Sequence, residues 1–397
     1  MATIKKRIWK NRHGERKEAW QLRYVDAQGV ERSKQFAKKG DASAYLRKIG
    51  WELSQGTHTP DSTSITISRA ADLWLNTARS KGLERSTMKQ YDEWVRLHIN
   101  PLLGDRKLSQ LTMPMVEAFK DCLLETRSPA MVGKILGGLS SLIAECQRRG
   151  LIAQNVARGV RVVRSRRDRK RVVIPTKPDL RLMLDGAKAI EDENPALLPM
   201  LLTVALTGLR SSELRGLRAA DVDLKGCQIN VCQRADAWGE ISVPKSAAGF
   251  RTIPIPAALV TELRKWMLRA PPSKLGLLFP NSEGGARLHS NLLNREYWPL
   301  QVAAGLVRPA TQRGGNGQLE EKVATDGVQV MRAMYDFHAL RHYAASSWIK
   351  QKVDLKRLTT WLGHSSVQIT LDTYGHLIKD EEGDAAIAAA VAAELLI

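Results

Sequence analysis

Six polar residues, spread over the second half of the chain, set the strongest constraint on how it can fold. They stand in short strings that read TGLRSSEL, PKS, HALRH, LGHSS and LDTYGH. The six residues are Arg210, Lys245, His338, Arg341, His364 and Tyr374. Two arginines, a lysine and two histidines can together neutralise one phosphodiester, and a tyrosine can attack it as a nucleophile. A fold that uses this chemistry must bring all five strings, and the six residues in them, to one place.

The order and wording of these strings resemble the tyrosine recombinase family, and in particular the phage-type integrases. The resemblance covers roughly residues 175–380, and a looser one extends to the N-terminus. No string is specific alone, because HxxR or LGH occurs by chance in many proteins. The complete series in this order, ending in a tyrosine ten residues after Gly-His, is a strong signal. The resemblance implies cleavage of DNA through a 3′-phosphotyrosine, with no metal and no cofactor.

The resemblance also assigns the groups that would hold the phosphate. Arg210 and Arg341 would clamp its non-bridging oxygens, for which a planar, permanently charged guanidinium is suited. His364, next to a helix-ending glycine, would donate to a phosphate oxygen in the transition state. Glu213 follows Arg210 by three residues, and we expect it to orient that arginine.

A second set of residues would move protons. Three strands are predicted over 228–233, 238–243 and 250–255, which places Lys245 at the tip of a hairpin. The family has its general acid there, and that group would protonate the leaving 5′ oxygen. Lys225 is a weaker candidate, and Arg251 is predicted to be a phosphate binder or a surface residue. His338 matches the family histidine that assists proton transfer near the attacking oxygen.

Tyr374 is the predicted nucleophile, because it follows the LGH string at the family's distance. Tyr343 is the runner-up, and Tyr335 also lies near a site string. His342 stands in the same string as His338, but it is predicted to lie on another helix face and to be structural.

Charge agrees with a polyanionic partner. The 397-residue chain carries 61 Lys and Arg against 41 Asp and Glu, for a net charge of +20, and basic surfaces release counterions when they contact phosphates. Charge alone also fits a ribosomal-RNA-binding or membrane-surface protein. The four cysteines lack the spacing of a disulfide framework or a zinc site and are expected to be thiols in a reducing cytosol. The longest apolar stretch, 385–397, is too short to span a membrane, so a cytoplasmic, nucleoid-associated protein of a bacterium is expected.

The predicted fold class is mainly α with small β-sheets (α+β), in three domains. Residues 1–57 show two alternating strands at 19–25 and 31–36, then a helix, with a net charge of +8. They resemble the arm-type DNA-binding domain of phage integrases. A solvated domain that only tethers the rest is the alternative.

The middle of the chain is predicted to be a helical core-binding domain over residues 65–160. Its aromatic residues Trp74, Tyr91 and Trp94 are expected in the core. A basic linker follows at 161–173, and the catalytic domain occupies 174–397. The apolar C-terminal segment is expected to form a helix that packs on its own domain or on a neighbouring protomer.

The implied partners are double-stranded DNA, at core and arm attachment sites, and further copies of the chain in a homo-tetramer on DNA. A host DNA-bending protein and an excision factor are also implied. The alternatives are a type IB topoisomerase-like enzyme that relaxes DNA as a monomer and a non-catalytic DNA-binding protein.

Overall fold

The computed structural model describes residues 2–26, 29–54, 58, 60–61, 64–163, 172–313, 319–324, 326–378 and 389–395. The chain forms two compact units. One unit is Met1–Arg169 with Arg313–Glu320, and the other is Lys170–Gln312 with Glu321–Ile397. Most of the predicted basic linker, and parts of the predicted C-terminal helix, lie outside the described residues. The described part of that segment, 389–395, is helical and exposed.

The first unit opens with a small antiparallel sheet in the order β1-β2-β3. Its strands are β1 (Thr3–Lys10), β2 (Arg16–Val25) and β3 (Glu31–Phe36). Helix α1 (Lys39–Ser54) packs on the sheet, and Leu22, Tyr24 and Ile49 form the small core between them. The alternation of apolar and polar residues predicted β2 and β3 but not β1. Strand β1 is almost wholly exposed, so no buried face marks it in the sequence.

One residue beyond this domain's predicted boundary belongs to its packed interior. The ring of His58 lies between the Tyr24 hydroxyl, at 2.9 Å from Nε2, and the Glu52 carboxylate, at 2.9 Å from Nδ1. Further on, Asp61 pairs with Lys34 at 2.8 Å. These contacts bring His58 and Asp61 into the small N-terminal domain.

In the described residues 64–163 of the first unit, a short 3₁₀ turn (Leu108–Gln110) accompanies five α-helices and one π-helical turn. The α-helices and the π-turn are α2 (Ile67–Ser80), α3 (Arg85–Trp94), the π-turn Val95–Ile99, α4 (Asn100–Leu103), α5 (Met113–Thr126) and α6 (Pro129–Arg148). Thr66 and Ser128 cap α2 and α6 by accepting backbone N–H bonds. The aromatic core is confirmed, since the rings of Trp74 and Tyr91 stack at 4.3 Å and Trp94 is buried beside them.

Beyond residue 172, groups of helices and groups of short strands follow one another along the chain. The helices are α7 (Lys177–Ala189), α8 (Leu197–Thr207), α9 (Ser211–Gly216), α10 (Ala257–Met267), α11 (His289–Asn291), α12 (Trp298–Ala303), α13 (His338–Lys350), α14 (Leu355–Leu362) and α15 (Val367–Tyr374). The strands are β4 (Val222–Asp223), β5 (Gln228–Val231), β6 (Arg234–Ala235), β7 (Ile241–Ser242), β8 (Arg251–Pro254), β9 (Val307–Pro309), β10 (Thr311–Arg313), β11 (Leu319–Glu321) and β12 (Met331–Ala333).

The apolar helix α8 is the centre of the second unit. It contacts α7, α10 and α13, and its residues Leu197, Met200, Leu201 and Val204 are fully buried. The strands form small sheets, β4-β5-β8 and the pairs β6-β7, β9-β12 and β10-β11. The predicted fold class, mainly α with small β-sheets, is confirmed. In the described part of the chain no helix is long and apolar enough to cross a membrane.

One predicted strand connection is wrong. Strand β7 pairs with β6, whereas β8 pairs with β5. Lys245 therefore lies in a loop between two sheets and not at the tip of a hairpin. The alternating pattern finds the strands, but it does not state which strands pair.

Adjacent glycines in α6 offer a test of the core of the first unit. A Cβ on Gly138 would lie 2.7 Å from the Trp94 ring, whereas one on Gly137 would meet nothing within 4 Å. We expect Gly138→Ala to destabilise the chain by about 1–3 kcal/mol through overpacking. Gly137→Ala should stabilise it by up to about 1 kcal/mol, since alanine favours the helix. Urea denaturation of the full chain measures both. Equal effects of the two substitutions would contradict this packing.

Candidate active site

Five of the six predicted site residues line one cavity of about 340 Å³ in the second unit. Its lining residues are Arg210, Ser246, His338, Arg341, His342, Gly363, His364, Ser365, Ile369, Thr373 and Tyr374. They come from the α8–α9 junction, the loop before β8, the start of α13, and the α14–α15 pair. The fold thus brings together strings that are far apart in the sequence.

Arg210 is held at a helix junction by a nearby carboxylate. Helix α8 ends at Gly208, whose φ of 62° is left-handed, and α9 begins after Arg210. The Arg210 backbone N–H and its Nη1 donate to the two carboxylate oxygens of Glu213, each at 2.8 Å, and its Nη2 donates to the Gly363 carbonyl at 2.9 Å. The predicted orienting contact with Glu213 is therefore present. The Arg210 side chain is 36% exposed, so the guanidinium also reaches the cavity.

Arg341 is buried more deeply than Arg210. It is 1% exposed, and it donates to the Gly208 carbonyl at 2.7 Å and to the Leu362 carbonyl. Burial, followed by the charge of Arg210, lowers the pKa of Arg341 to about 9. An arginine stays protonated at neutral pH even so. The positive charge of Arg341 is poorly compensated, and the negative charge of a phosphate in the cavity would compensate it.

Arg251 is buried, so the prediction that it is a surface residue is wrong, whereas the alternative of a phosphate binder stays a prediction. Its Nη1 and Nη2 donate to the Glu213 carboxylate at 3.0 and 2.8 Å, and its Nε donates to the Trp361 carbonyl at 2.7 Å. Among the described residues it is not one that lines the cavity. The sequence around Arg251, the first residue of β8, gives no sign of this pairing, because its carboxylate partner lies 38 positions earlier.

Glu213 is the carboxylate that joins two of these arginines. Burial would raise its pKa, but the hydrogen bonds and charge of Arg251, with the charge of Arg210, lower the pKa of Glu213 to about 2. The carboxylate is therefore ionised at every pH at which the protein is expected to work.

Tyr374 is the last residue of α15 and is 1% exposed. Its hydroxyl lies 2.7 Å from Nδ1 of His342. Burial raises the pKa of Tyr374 to about 12, although Arg341 and Arg210 act in the opposite direction. Loss of the phenolic proton therefore needs help from a neighbouring group.

His342 was predicted to lie on a different helix face from His338, and this prediction is wrong. Residues four apart on a helix share a face, and the rings of His338 and His342 meet edge to face with centroids 4.7 Å apart. Burial and His338 lower the pKa of His342 to about 4. His338, at the first turn of α13, has a lowered pKa from partial burial and from Arg341. The i, i+4 spacing was the sequence signal that could have linked the two rings.

His364 follows the left-handed Gly363 that ends α14. Its Nδ1 lies 2.8 Å from the hydroxyl of buried Thr370, which in turn contacts Thr359 at 3.0 Å. Burial, then Arg341, lowers the pKa of His364 to about 4. A neutral ring that accepts at Nδ1 carries its hydrogen on Nε2, where it can donate to a phosphate oxygen.

The remaining candidates lie apart from this cavity. Lys245 is exposed, and it precedes the lining residue Ser246, but in the described chain it does not itself line the cavity. Lys225 is exposed in the β4–β5 turn. Tyr335 donates to Asp179 at 2.7 Å, and Tyr343 lines a different cavity. Among the described residues, no group of three or more His, Cys, Asp or Glu side chains could hold a metal ion.

The fold is that of a tyrosine recombinase. The phage integrase family model matches residues 179–381, just over half of the chain. The chain therefore belongs to the phage integrase family, and it is an enzyme of the tyrosine recombinase class.

Curated relatives carry matching names. The chain is 23% identical over 360 residues to a tyrosine recombinase XerC-like protein of Caldanaerobacter subterraneus, with 82% of this chain and 83% of the relative covered. It is 25% identical over 379 residues to a prophage phiRv2 integrase of Mycobacterium tuberculosis, with 92% of this chain and 91% of the relative covered.

Two solved structures share the fold. The Tn1549 transposon integrase in complex with transposon right end DNA is 17% identical, with a TM-score of 0.64 over 83% of this chain and 100% of that one. The lambda integrase tetramer bound to a Holliday junction is 19% identical, with a TM-score of 0.55 over 90% of this chain and 95% of that one.

We expect Glu213→Gln to destabilise the chain at neutral pH by roughly 3 kcal/mol, because it leaves buried Arg251 without its counter-charge. The folded pKa of Glu213 lies below its ordinary value of 4.5. Its ionic contribution is therefore complete above about pH 4.5 and fades as the pH falls towards 2. Urea denaturation at pH 7 and pH 3.5 should show the gap between native chain and variant narrowing with acid.

Glu262→Gln is the matched control for this experiment. It removes an ion pair with Lys265 whose lysine is 60% exposed, and such pairs add little to stability. A Glu213→Gln variant that behaved like this control would contradict the role of Glu213.

Proposed function

We propose that the chain is a site-specific DNA recombinase, an integrase that cuts and rejoins DNA through a 3′-phosphotyrosine intermediate. Its role is to integrate and excise a phage or mobile element. The observation that supports this most is the single cavity in which Arg210, Arg341, His364 and Tyr374 converge. Cationic and hydrogen-bonding groups surround one buried phenol there, which suits attack on a phosphodiester.

The proposed reaction has two transesterification steps. The Tyr374 oxygen attacks the scissile phosphorus, a P–O bond forms, and the bond to the 5′ oxygen breaks. Lys245 gives that leaving oxygen its proton, which yields a free 5′-OH. The 5′-OH of a partner duplex then attacks the phosphotyrosine, so the strand is rejoined and the phenol is restored. One phosphodiester replaces another, and the reaction implies no metal, ATP or other cofactor.

The proposed partner is double-stranded DNA, bound at core sites and, through the small β-sheet domain at the N-terminus, at arm sites. The net charge of +20 supports a polyanionic partner. We propose a homo-tetramer on DNA, by analogy with the lambda integrase tetramer bound to a Holliday junction. A host DNA-bending protein and an excision factor complete the proposal, which places the reaction in the cytosol of a bacterium.

A type IB topoisomerase-like activity is the alternative, since the same phosphate clamp and tyrosine would serve DNA relaxation. The family membership and the HxxR histidine favour the recombinase. Relaxation of a supercoiled plasmid by the purified chain, without pairing of sites, would favour the topoisomerase. A non-catalytic DNA-binding protein would give neither products nor a covalent adduct.

Tyr374→Phe should keep DNA binding and abolish cleavage, because only the nucleophilic oxygen is lost. A nicked duplex, carrying the core site identified from the DNA that flanks the gene, should trap a covalent adduct with the native chain and none with the variant. Tyr343→Phe is the matched control and should still form the adduct. An adduct with Tyr374→Phe but not with Tyr343→Phe would move the nucleophile to Tyr343.

Removing the N-terminal domain should separate the two proposed DNA contacts. A chain that begins at Ser64 keeps α2–α15, so it should bind and cleave a short core-site duplex. It should fail to integrate a full attachment site, because one protomer can no longer bridge core and arm sites. The binding of the isolated residues 1–63 to arm DNA should weaken steeply with salt. Unchanged integration by the shortened chain would refute the arm-binding role.

A further inference from the structure

We infer that His342 is the residue that receives the phenolic proton of Tyr374 during strand cleavage. This inference rests on the proposed function and names a group for a step that the family resemblance assigned to His338. The bond to be made lies between the Tyr374 oxygen and phosphorus, and the proton displaced from that oxygen needs an acceptor.

The geometry singles out His342. Its Nδ1 is 2.7 Å from the Tyr374 hydroxyl, the distance of a good hydrogen bond. Both side chains line the same cavity as the two clamp arginines. His338 contacts the His342 ring edge to face, with the ring centroids 4.7 Å apart, so His338 lies one ring further from the Tyr374 hydroxyl. A proton acceptor must lie within hydrogen-bond reach of the proton that it takes, and His342 meets this condition.

The surroundings of His342 keep its ring neutral and thus able to accept. Burial, His338 and Arg341 disfavour a charged ring, and Asp336 favours it. Among the described residues, these three side chains and the Tyr374 hydroxyl are the titratable or charged groups that act on the ring. A neutral ring with its hydrogen on Nε2 presents an unprotonated Nδ1 to the phenol.

A bound phosphodiester would change this balance in the direction that the step requires. Its negative charge near Arg341 and His342 would favour the protonated ring, as any close opposite charge does. The phenolic oxygen also loses its affinity for the proton as its bond to phosphorus forms. Proton transfer to Nδ1 therefore fits with phosphorus–oxygen bond formation in one step. In the rejoining step, the same imidazolium returns the proton to the departing phenolate.

His342→Asn separates proton acceptance from positioning. Asparagine can place an amide near the position of Nδ1 and keep a hydrogen bond, but it cannot accept a proton. We expect adduct formation on the nicked core-site duplex to slow by about 10²- to 10⁴-fold at pH 7. The native rate should change little between pH 6 and 8. The variant rate should rise about tenfold per pH unit, because only the rare phenolate can then attack.

A fluorinated tyrosine at position 374 gives a second readout. Its phenol is more acidic, so it should recover part of the rate lost in His342→Asn and gain little in the native background. His338→Asn is the matched variant, and it should show neither the tenfold slope nor this recovery. Core-site binding and the thermal midpoint of each variant check that it is folded, and His342→Gln replaces His342→Asn if that variant unfolds.

Each outcome of these experiments either supports the proposal or overturns it. The slope and the recovery in His342→Asn support the proposal. A native rate in that variant, or a loss that is equal at every pH and not recovered by fluorination, overturns it. The same two signatures in His338→Asn alone overturn it in favour of His338. If the native chain itself forms no adduct on its core site, the proposed function fails and this inference falls with it.

Discussion

The active site depends on how three arginines are held without a full set of counter-charges. Arg210, Arg251 and Arg341 converge on the ends of α8 and α14, where the carbonyls of Gly208, Trp361, Leu362 and Gly363 accept their N–H bonds. The C-terminal end of a helix carries partial negative charge, so these carbonyls suit guanidinium groups. Glu213 is the carboxylate in the cluster, and it is shared by Arg210 and Arg251. In the described part of this cluster, one carboxylate serves three guanidinium groups, and two of these, Arg210 and Arg341, line the cavity with positive charge.

The glycines at these helix ends make that arrangement possible. Gly363 has a φ of 62°, and a Cβ there would lie 2.9 Å from both the Ala248 carbonyl and Nη1 of Arg251. A larger residue would therefore be strained in backbone conformation and would push Arg251 off Glu213. Burial, followed by the charge of Arg341, lowers the pKa of both His338 and His364. Buried surroundings and the nearby arginines therefore both disfavour protonation of these rings.

The sequence predicts this site to the extent that local strings determine local structure. The TGLR string breaks a helix at a glycine, so the position of Arg210 at a junction could be inferred, as could Glu213 one turn later. Arg251 could not, because its environment is made by contacts with residues that are distant in the sequence. Lys245 was predicted at a hairpin tip because alternation indicates strands without indicating their partners. The contact of His342 with the site was missed because His342 was predicted on the wrong helix face. Its spacing of four residues from His338 nevertheless indicates a shared face. The small apolar cores and helix spans followed from periodicity, whereas the exposed strand β1 had no such pattern.

Two histidines bond to the short helix that carries Tyr374, the proposed nucleophile. Helix α15 bonds to His364 through Thr370 and to His342 through Tyr374, four residues apart and therefore on one face. Each ring can accept a hydroxyl hydrogen at Nδ1 only when that nitrogen is unprotonated. The hydrogen bond that positions the phenol therefore depends on the charge of the cavity. Acid that protonated either ring would reverse the direction of a bond that holds α15, and it would also add a cation to a cluster already short of negative charge. Neutral histidine rings therefore keep the hydrogen bonds to α15 in their present direction and add no further positive charge to the arginine cluster.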